Sequence, residues 1–265
     1  MAQIGVIGDP HGNVEALTAV LRELDRRRVE RVLCVGDLVG YNADPNQVVA
    51  ELTRSATCIA GNHDRMALGV LDTDACWYGA RFAVERTRAT IDDAALEALS
   101  RLPTTFALEK GLFMFHGCID DVRRYCRGDA ELIHNERLLA ARSPATWLAC
   151  FGHTHAAGVH TVRATAAGYV VTRGATSGRV ELDYGARIFL NPGSVDGARR
   201  EHARAQFAVL DTFGRTVELC EVAYDGALSE LKARSAGYRP PWHHQLRGEA
   251  ISLVRRAHRD ERRVG

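Results

Sequence analysis

The chain has 265 residues, 46% hydrophobic and 25% charged, with 34 Lys and Arg against 33 Asp and Glu and a formal net charge of +1 at pH 7. Such values exclude a disordered, fibrous or membrane-bundle chain, and the balance of charge excludes a chain-wide electrostatic footprint for nucleic acid. The length is near the upper end of what one hydrophobic core supports, so one large domain with an appendage is expected. The N-terminal stretch reaches Asp9 without a basic region or a long apolar run, and nowhere does an apolar run reach the length of a membrane span; neither a signal peptide nor a transmembrane helix is expected. A cytoplasmic protein with no membrane partner is the resulting expectation. The cysteines at 34, 58, 76, 118, 126, 150 and 220 form no Cys-x-x-Cys pair, and several sit in apolar runs, so buried, reduced thiols are expected.

In chain order, residues 3–7 form an apolar run ending at Gly8, and 14–27 carry Val14, Leu17, Val20, Leu21 and Leu24 at helical spacing. Residues 32–35 before Gly36 read as a second strand, 45–52 as a helix with Pro45 in its first turn, and 57–60 before Gly61 as a third strand. Strands alternating with helices predict an α/β protein with a mostly parallel, layered sheet. A helical region covers 75–101, succeeded by strands at 105–108 and 112–115, a helix near 130–140 and a strand at 147–151. Then the pattern changes. Short β-rich pieces divided by Gly and Ala run from 158 to 190, and the runs 206–210 and 217–222 flank Phe213-Gly214-Arg215 as an antiparallel hairpin. Residues 226–265 read as a helical extension, broken at Pro240-Pro241, to a domain of residues 1–225.

The chemistry lies just past the strands. Their ends carry Gly8-Asp9-Pro10-His11-Gly12-Asn13, then Gly36-Asp37, then Gly61-Asn62-His63-Asp64, then His116-Gly117, and finally Gly152-His153-Thr154-His155. Each piece alone has an ordinary structural reading, as an Asx turn, a helix cap or a packed histidine. Five in succession do not, because the carboxyl ends of strands in an open α/β sheet form a crevice where side chains distant in sequence converge. His153 and His155 alternate, and on an extended segment they would point the same way. Oxygen and imidazole donors without thiolate suit manganese, iron, zinc and similar divalent ions, and an aspartate can bridge two.

Together these segments, with Asn191-Pro192-Gly193-Ser194 beyond them, resemble the five-part signature of the calcineurin-like metallophosphoesterases, in particular their small bacterial phosphodiesterase branch. The resemblance implies a four-layer αββα fold, a β-sandwich flanked by helices, with residues 1–225 as the catalytic domain. It implies two divalent metal ions, manganese first, with iron, zinc, nickel or cobalt as alternatives. Asp9, His11 and His155 would hold one, Asn62, His116 and His153 the other, and Asp37 would bridge them. His63 would donate a proton to the leaving oxygen or stabilise transition-state charge, with Asp64 orienting its ring, and a metal-bridging hydroxide would attack phosphorus. Gly40 departs from relatives that carry an acidic residue there, and the stretch 156–187 is longer than the link expected before Asn191.

Arg65, Arg123, Arg124 and Arg127, and Arg199 and Arg200 after Ser194, are candidates to hold phosphate oxygens, against the alternative of ordinary exposed arginines in an arginine-rich chain. Tyr41 and Asn42 would either line a pocket for a base or leaving group or form the turn before Asp44-Pro45; the turn is preferred. Cys118 reads as a small buried neighbour of His116 rather than a ligand. The basic C-terminal run around Trp242-His243-His244 and Arg247 reads either as a solvated helix face or as a docking surface, which leaves a homo-oligomer open. The leading expectation is a phosphodiesterase acting on small phosphorylated or nucleotide substrates. The alternatives are a phosphomonoesterase or protein phosphatase, a dinucleoside polyphosphate hydrolase and, outside the enzymes, a scaffold on the same fold.

Overall fold

Strand side chains alternate between two faces, and here that alternation makes the central strands build two apolar interfaces at once. A computed structural model describes residues 3–74, 76–197 and 203–239. Strands β1 (Gln3–Ile7), β2 (Arg31–Cys34) and β3 (Thr57–Cys58) are parallel; β11 (Arg204–Asp211), β12 (Thr216–Ala223) and β9 (Gly178–Glu181) continue their sheet antiparallel, in the order β3-β2-β1-β11-β12-β9. The second sheet runs β4 (Thr105–Leu108), β5 (Leu112–Phe115), β6 (Leu148–Cys150), β10 (Arg187–Asn191), β7 (Gly158–Thr165) and β8 (Gly168–Arg173), with β5, β6 and β10 parallel.

Ile4 and Val6 of β1, Leu33 of β2, Leu112 and Met114 of β5, Leu148 and Cys150 of β6, and Ile188 and Leu190 of β10 meet between the sheets. Their alternate neighbours face outward. Ile7 and Cys34 pack under α1 (Val14–Arg26), α2 (Pro45–Ser55) and α5 (Asp93–Ser100), while Phe113, Phe115, Ala149 and Phe189 pack under α6 (Asp129–Arg142). Three apolar layers thus separate helix, sheet, sheet and helix, and each fully buried Leu, Ile or Phe contributes roughly 1.5–3 kcal/mol. This is the expected αββα sandwich.

Several sequence expectations change in detail. The alternating pattern predicts one mostly parallel sheet, whereas each sheet is mixed, because β11, β12 and β9 join the first sheet antiparallel and β4, β7 and β8 the second. The helical region at 75–101 is two helices, α4 (Tyr78–Thr90) and α5, since Asp92 turns the chain and caps α5 by accepting from the Ala95 N–H at 2.8 Å. A further helix, α3 (Asn62–Ala67), begins on the Gly61-Asn62-His63-Asp64 segment. The long stretch before Asn191 is sheet edge: β7 and β8 extend the second sheet, and β9 crosses to the outer edge of the first. The C-terminal extension is described only as α7 (Gly226–Ser235) and the turn to Arg239; the basic run and the Pro-Pro break lie outside the described residues. All seven cysteines are free, and Cys118 is 1% exposed. No helix among the described residues is long and apolar enough to cross a membrane.

One polar pair sits inside the second sheet's outer layer. Glu136 of α6 and Arg187 of β10 are ion-paired and nearly buried, and Arg187 also donates to the Thr146 carbonyl. Burial holds the Glu136 carboxyl above its ordinary range even beside the guanidinium. Glu136→Ala strands a buried cation, so guanidinium denaturation is expected to show a loss of about 3–5 kcal/mol, whereas Glu136→Leu with Arg187→Met restores most of it.

Candidate metal centre

Hydrogen bonds between loops draw the strand ends together. The Asp9 N–H donates to the Gly36 carbonyl and the His11 N–H to the Asp37 carbonyl, each at 3.0 Å, and the Gly152 N–H donates to the His116 carbonyl at 3.0 Å. Asp9 Oδ1 accepts from the His153 N–H at 3.0 Å, which ties the first sheet's loops to the second's. The Ser194 hydroxyl donates to the Asp9 carbonyl, and Asn191 Nδ2 donates to the Gly152 carbonyl and the Thr154 hydroxyl. The Asn-Pro-Gly-Ser segment is therefore a strut beneath the site. Asp9, His11, Asp37, His153 and His155 all have left-handed backbones, with φ between 48° and 65°. Such strain, of order 1–3 kcal/mol per residue, persists where surrounding structure imposes it and collects at functional sites.

Asp9, His11 and His155 form one group, Asp37, His116 and His153 another, and His11, Asp37 and His63 a third between them; within each, the donor atoms lie within 4.8 Å of one another. His11 Nε2 and His155 Nε2 face each other at 3.1 Å, and His155 Nε2 lies 3.3 Å from Asp9 Oδ1. Asp37 Oδ2 sits 3.3 Å from His116 Nε2 and 3.8 Å from His11 Nε2, while its Oδ1 accepts the His63 N–H at 2.8 Å. One carboxylate oxygen thus stands between the two groups. Asn62 Oδ1 approaches His116 Nε2 at 3.0 Å and joins the second.

The outer hydrogen bonds set which ring nitrogen faces inward. His116 Nδ1 donates to the Val35 carbonyl at 2.7 Å and His11 Nδ1 to that of Val39 at 3.2 Å, leaving Nε2 to the centre in both. His153 is reversed, its Nε2 donating to the Arg123 carbonyl at 3.0 Å, so Nδ1 faces the group. His153 and His155 do not share an extended segment as the sequence suggests. Their left-handed backbones splay the rings into different groups.

The donor set fits divalent cations by an observation of its own. Asp9 Oδ2 is fully buried with no hydrogen-bond partner among the described residues, and a buried carboxylate oxygen without a partner calls for a cation. Without metal the cluster holds protons. Burial opposes charge on His116, but Asp37 beside it lifts the ring to about 9. Burial and the His116 charge push His153 down to about 4. Burial would raise Asp37, yet the His116, His63 and His11 rings hold it well below the usual carboxylate range. Cation binding must then displace the His116 proton, so affinity weakens as pH falls.

Asp64 is buried with both oxygens committed, Oδ1 accepting from the Val39 N–H at 3.1 Å and Oδ2 from the Gly61 N–H at 2.8 Å. Burial and the Asp37 charge push it up to about 7. Its contacts fasten the loop of Asn62 and His63 to the loop after β2. Gly40 packs its backbone against two rings, for a Cβ there would lie 2.6 Å from His11 Nδ1 and 2.9 Å from His63 Nδ1 at a φ of +151°. Gly40→Ala is expected to weaken metal binding about 10- to 100-fold by tilting His11, measured by manganese titration.

The arginines separate. Arg123 offers its carbonyl to His153 while its guanidinium turns to Asp72 and Asp121; Arg65 is half-buried on α3, Arg124 is exposed, and Arg199 and Arg200 lie outside the described residues. Tyr41 is more than a turn residue: its ring lies 4.6 Å from His11 and 4.8 Å from His63. Tyr125 also reaches the site, stacking on His153 at 3.9 Å, and Trp77 lies 6.4 Å from the Tyr41 ring. Both stand in irregular loops without periodicity; only the position of Tyr125 inside the arginine-rich loop after His116 could have drawn attention.

Residues 2–215 match the model of the calcineurin-like phosphoesterase superfamily domain. The chain belongs to that superfamily. It is therefore a phosphoesterase, a hydrolase of a family that uses divalent metal ions. It is similar to a metallophosphoesterase from Sphaerobacter thermophilus, at 28% identity and a TM-score of 0.70 over 94% of this chain and 98% of that one. An uncharacterized protein of Methanocaldococcus jannaschii is 29% identical over 246 residues, 84% of this chain and 88% of the relative. A hypothetical protein from Pyrococcus horikoshii shares the fold, with a TM-score of 0.67 at 18% identity over 90% of this chain and 95% of that one.

Proposed function

We propose that this phosphoesterase is a two-metal phosphodiesterase acting on small phosphodiester or nucleotide substrates, with manganese the first choice of metal. The observation that carries the reading is Asp37 Oδ2, set between His116 Nε2 and His11 Nε2 as a shared ligand would be. Asp9, His11 and His155 would hold one ion and Asn62, His116 and His153 the other. When bound, the two ions supply Lewis-acid charge to the phosphoryl oxygens and lower the pKa of water towards neutrality. The chain does the rest. Backbone bonds from His63 to Asp37, and from Gly61 and Val39 to Asp64, hold the His63 ring beside that of His11, where it would give a proton to the departing oxygen. Asp64 is then a positioning residue, and His11, His116 and His153 are buried around the centre.

The test compares bis-p-nitrophenyl phosphate with p-nitrophenyl phosphate on stripped protein resupplied with manganese. Faster diester hydrolysis, abolished by chelation, is expected. A monoester preference would replace this reading by a phosphomonoesterase, and no turnover of either with two ions bound would overturn it in favour of a scaffold.

A further inference from the structure

We propose that Arg239, in the turn after α7, is a positioning residue of the metal centre, acting through Tyr41 and Asn42 on His11 and His63. The inference rests on the two-metal phosphodiesterase reading and adds to it a residue from the C-terminal segment. Nη1 of Arg239 donates to the Tyr41 carbonyl at 2.7 Å, and Nη2 donates to Asn42 Oδ1 at 3.3 Å. The guanidinium is steadied from α7 itself, where Nε donates to Glu230 Oε2 at 2.9 Å and Nη2 lies 2.7 Å from the same oxygen. All three guanidinium nitrogens are thereby committed. A planar, always-charged group with its donors in a fixed fork suits such a clasp, and the single ammonium of a lysine does not.

What the clasp fixes is the support of His11. Asn42 is buried, and its backbone N–H and its Nδ2 both donate to the His11 carbonyl, at 2.9 and 3.2 Å. Only one orientation of that side-chain amide satisfies both of its ends. With Oδ1 towards Arg239 and Nδ2 towards His11, each end meets its complement; turned over, the amide would set oxygen against the His11 carbonyl and nitrogen against the guanidinium. Arg239 therefore fixes the amide that holds His11, a residue with a left-handed backbone at φ 48°. Tyr41, whose carbonyl Arg239 holds, rests its ring 4.6 Å from that of His11 and 4.8 Å from that of His63. A shift of the Tyr41 backbone thus moves a surface packed against a proposed metal ligand and the proposed proton donor.

The arm that carries Arg239 is itself anchored. Lys232 of α7 bridges Glu15 of α1 and Asp44 before α2, at 2.7 and 2.5 Å. Arg86 of α4 donates to the Ala236 carbonyl, and Tyr238 is buried with its hydroxyl 2.8 Å from Thr90 Oγ1 at the end of the same helix. An ion pair of Arg239 with Glu230 alone would contribute little, as surface pairs do. Here the guanidinium also reaches a carbonyl and a buried amide in the loop after β2, from a segment tied down on both sides of that loop. Support of this kind holds a ligand set in its geometry before a metal arrives.

The test is calorimetric titration of the metal-free full chain with manganese. Arg239→Ala is expected to weaken manganese affinity about 10-fold, the effect of losing support outside the ligands, with an unchanged circular dichroism spectrum. Arg239→Lys keeps the charge without the fork and should weaken it about threefold, which decides the matter if the alanine variant does not fold. An arginine that only stabilises the fold would lower the unfolding midpoint and leave the affinity of the folded protein unchanged. At saturating manganese, kcat for bis-p-nitrophenyl phosphate should fall about 10-fold in Arg239→Ala with KM unchanged, because the guanidinium nitrogens are committed to the loop and Glu230 rather than to substrate. Unchanged manganese affinity in the folded variants, or a change in KM alone, would overturn the role. Turnover by the wild type with unchanged affinity in the variants removes the positioning role alone. Weakened affinity in the variants of a chain that hydrolyses neither ester removes the phosphodiesterase reading and leaves Arg239 its role, and no manganese binding by the wild type overturns both.

Discussion

Asp37→Asn is expected to lower turnover of bis-p-nitrophenyl phosphate by about 10⁴-fold, since shared metal charge contributes several kcal/mol and each ~1.4 kcal/mol is tenfold. The substitution is nearly isosteric. An amide oxygen in the place of Oδ1 still accepts the His63 N–H, so the α3 loop keeps its anchor while the charge between His116 and His11 disappears. Metal content should fall from two ions to one or fewer by mass spectrometry, with an unchanged circular dichroism spectrum. A second readout needs no activity. In the metal-free protein burial alone would push the His116 ring below its ordinary value, and it is Asp37 that lifts it to about 9. Without that carboxylate the ring should titrate well below about 9, and nuclear magnetic resonance of the imidazole would track it. Two bound ions and near-normal turnover in Asp37→Asn would remove Asp37 from the proposed bridge.

His63→Ala separates chemistry from metal binding. Two ions should remain bound, because the metal donors are other residues, while turnover falls by about 10²–10⁴-fold, the usual contribution of a positioned proton donor. The loss should grow with the basicity of the leaving oxygen. A p-nitrophenolate departs readily without a proton, so its ester should show the smaller effect and an alkyl or nucleoside ester the larger. An equal loss on both esters would mean that His63 acts by charge or packing instead. Its ring lies 4.7 Å from that of His11, so metal content must be measured alongside to exclude a displaced ligand.

How much of the fold and site is legible in the residues alone differs by kind of feature. The strands after which ligands appear are readable because each is a short apolar run stopped by glycine, and the end of β1 at Ile7 and the start of α1 at Val14 fall where the pattern places them. Helix α3 is not readable: its six residues, Asn62–Ala67, are too few to show a 3.6-residue period. Tyr41 reads as a turn residue because a single aromatic beside Asn42 and Pro45 carries no period, and only the approach of His63 from another loop shows where its ring lies.

The sequence by itself determined the family, the αββα layering implied by it, and the identity of the residues that gather at the strand ends. Those features are local: glycine punctuation, polar residues next to it, and alternation along each strand. Only the tertiary structure decided that left-handed backbones part the rings of His153 and His155, how far Asp37 Oδ2 lies from His116 and His11, that 156–187 supplies an edge strand to each sheet, and that Tyr41 lies against the rings of His11 and His63. Each depends on backbone angles or on contacts between residues far apart in the chain. A linear pattern records which groups are present, but the distances between them are set when the sheet of β1 to β3 and the sheet of β5, β6 and β10 are packed face to face.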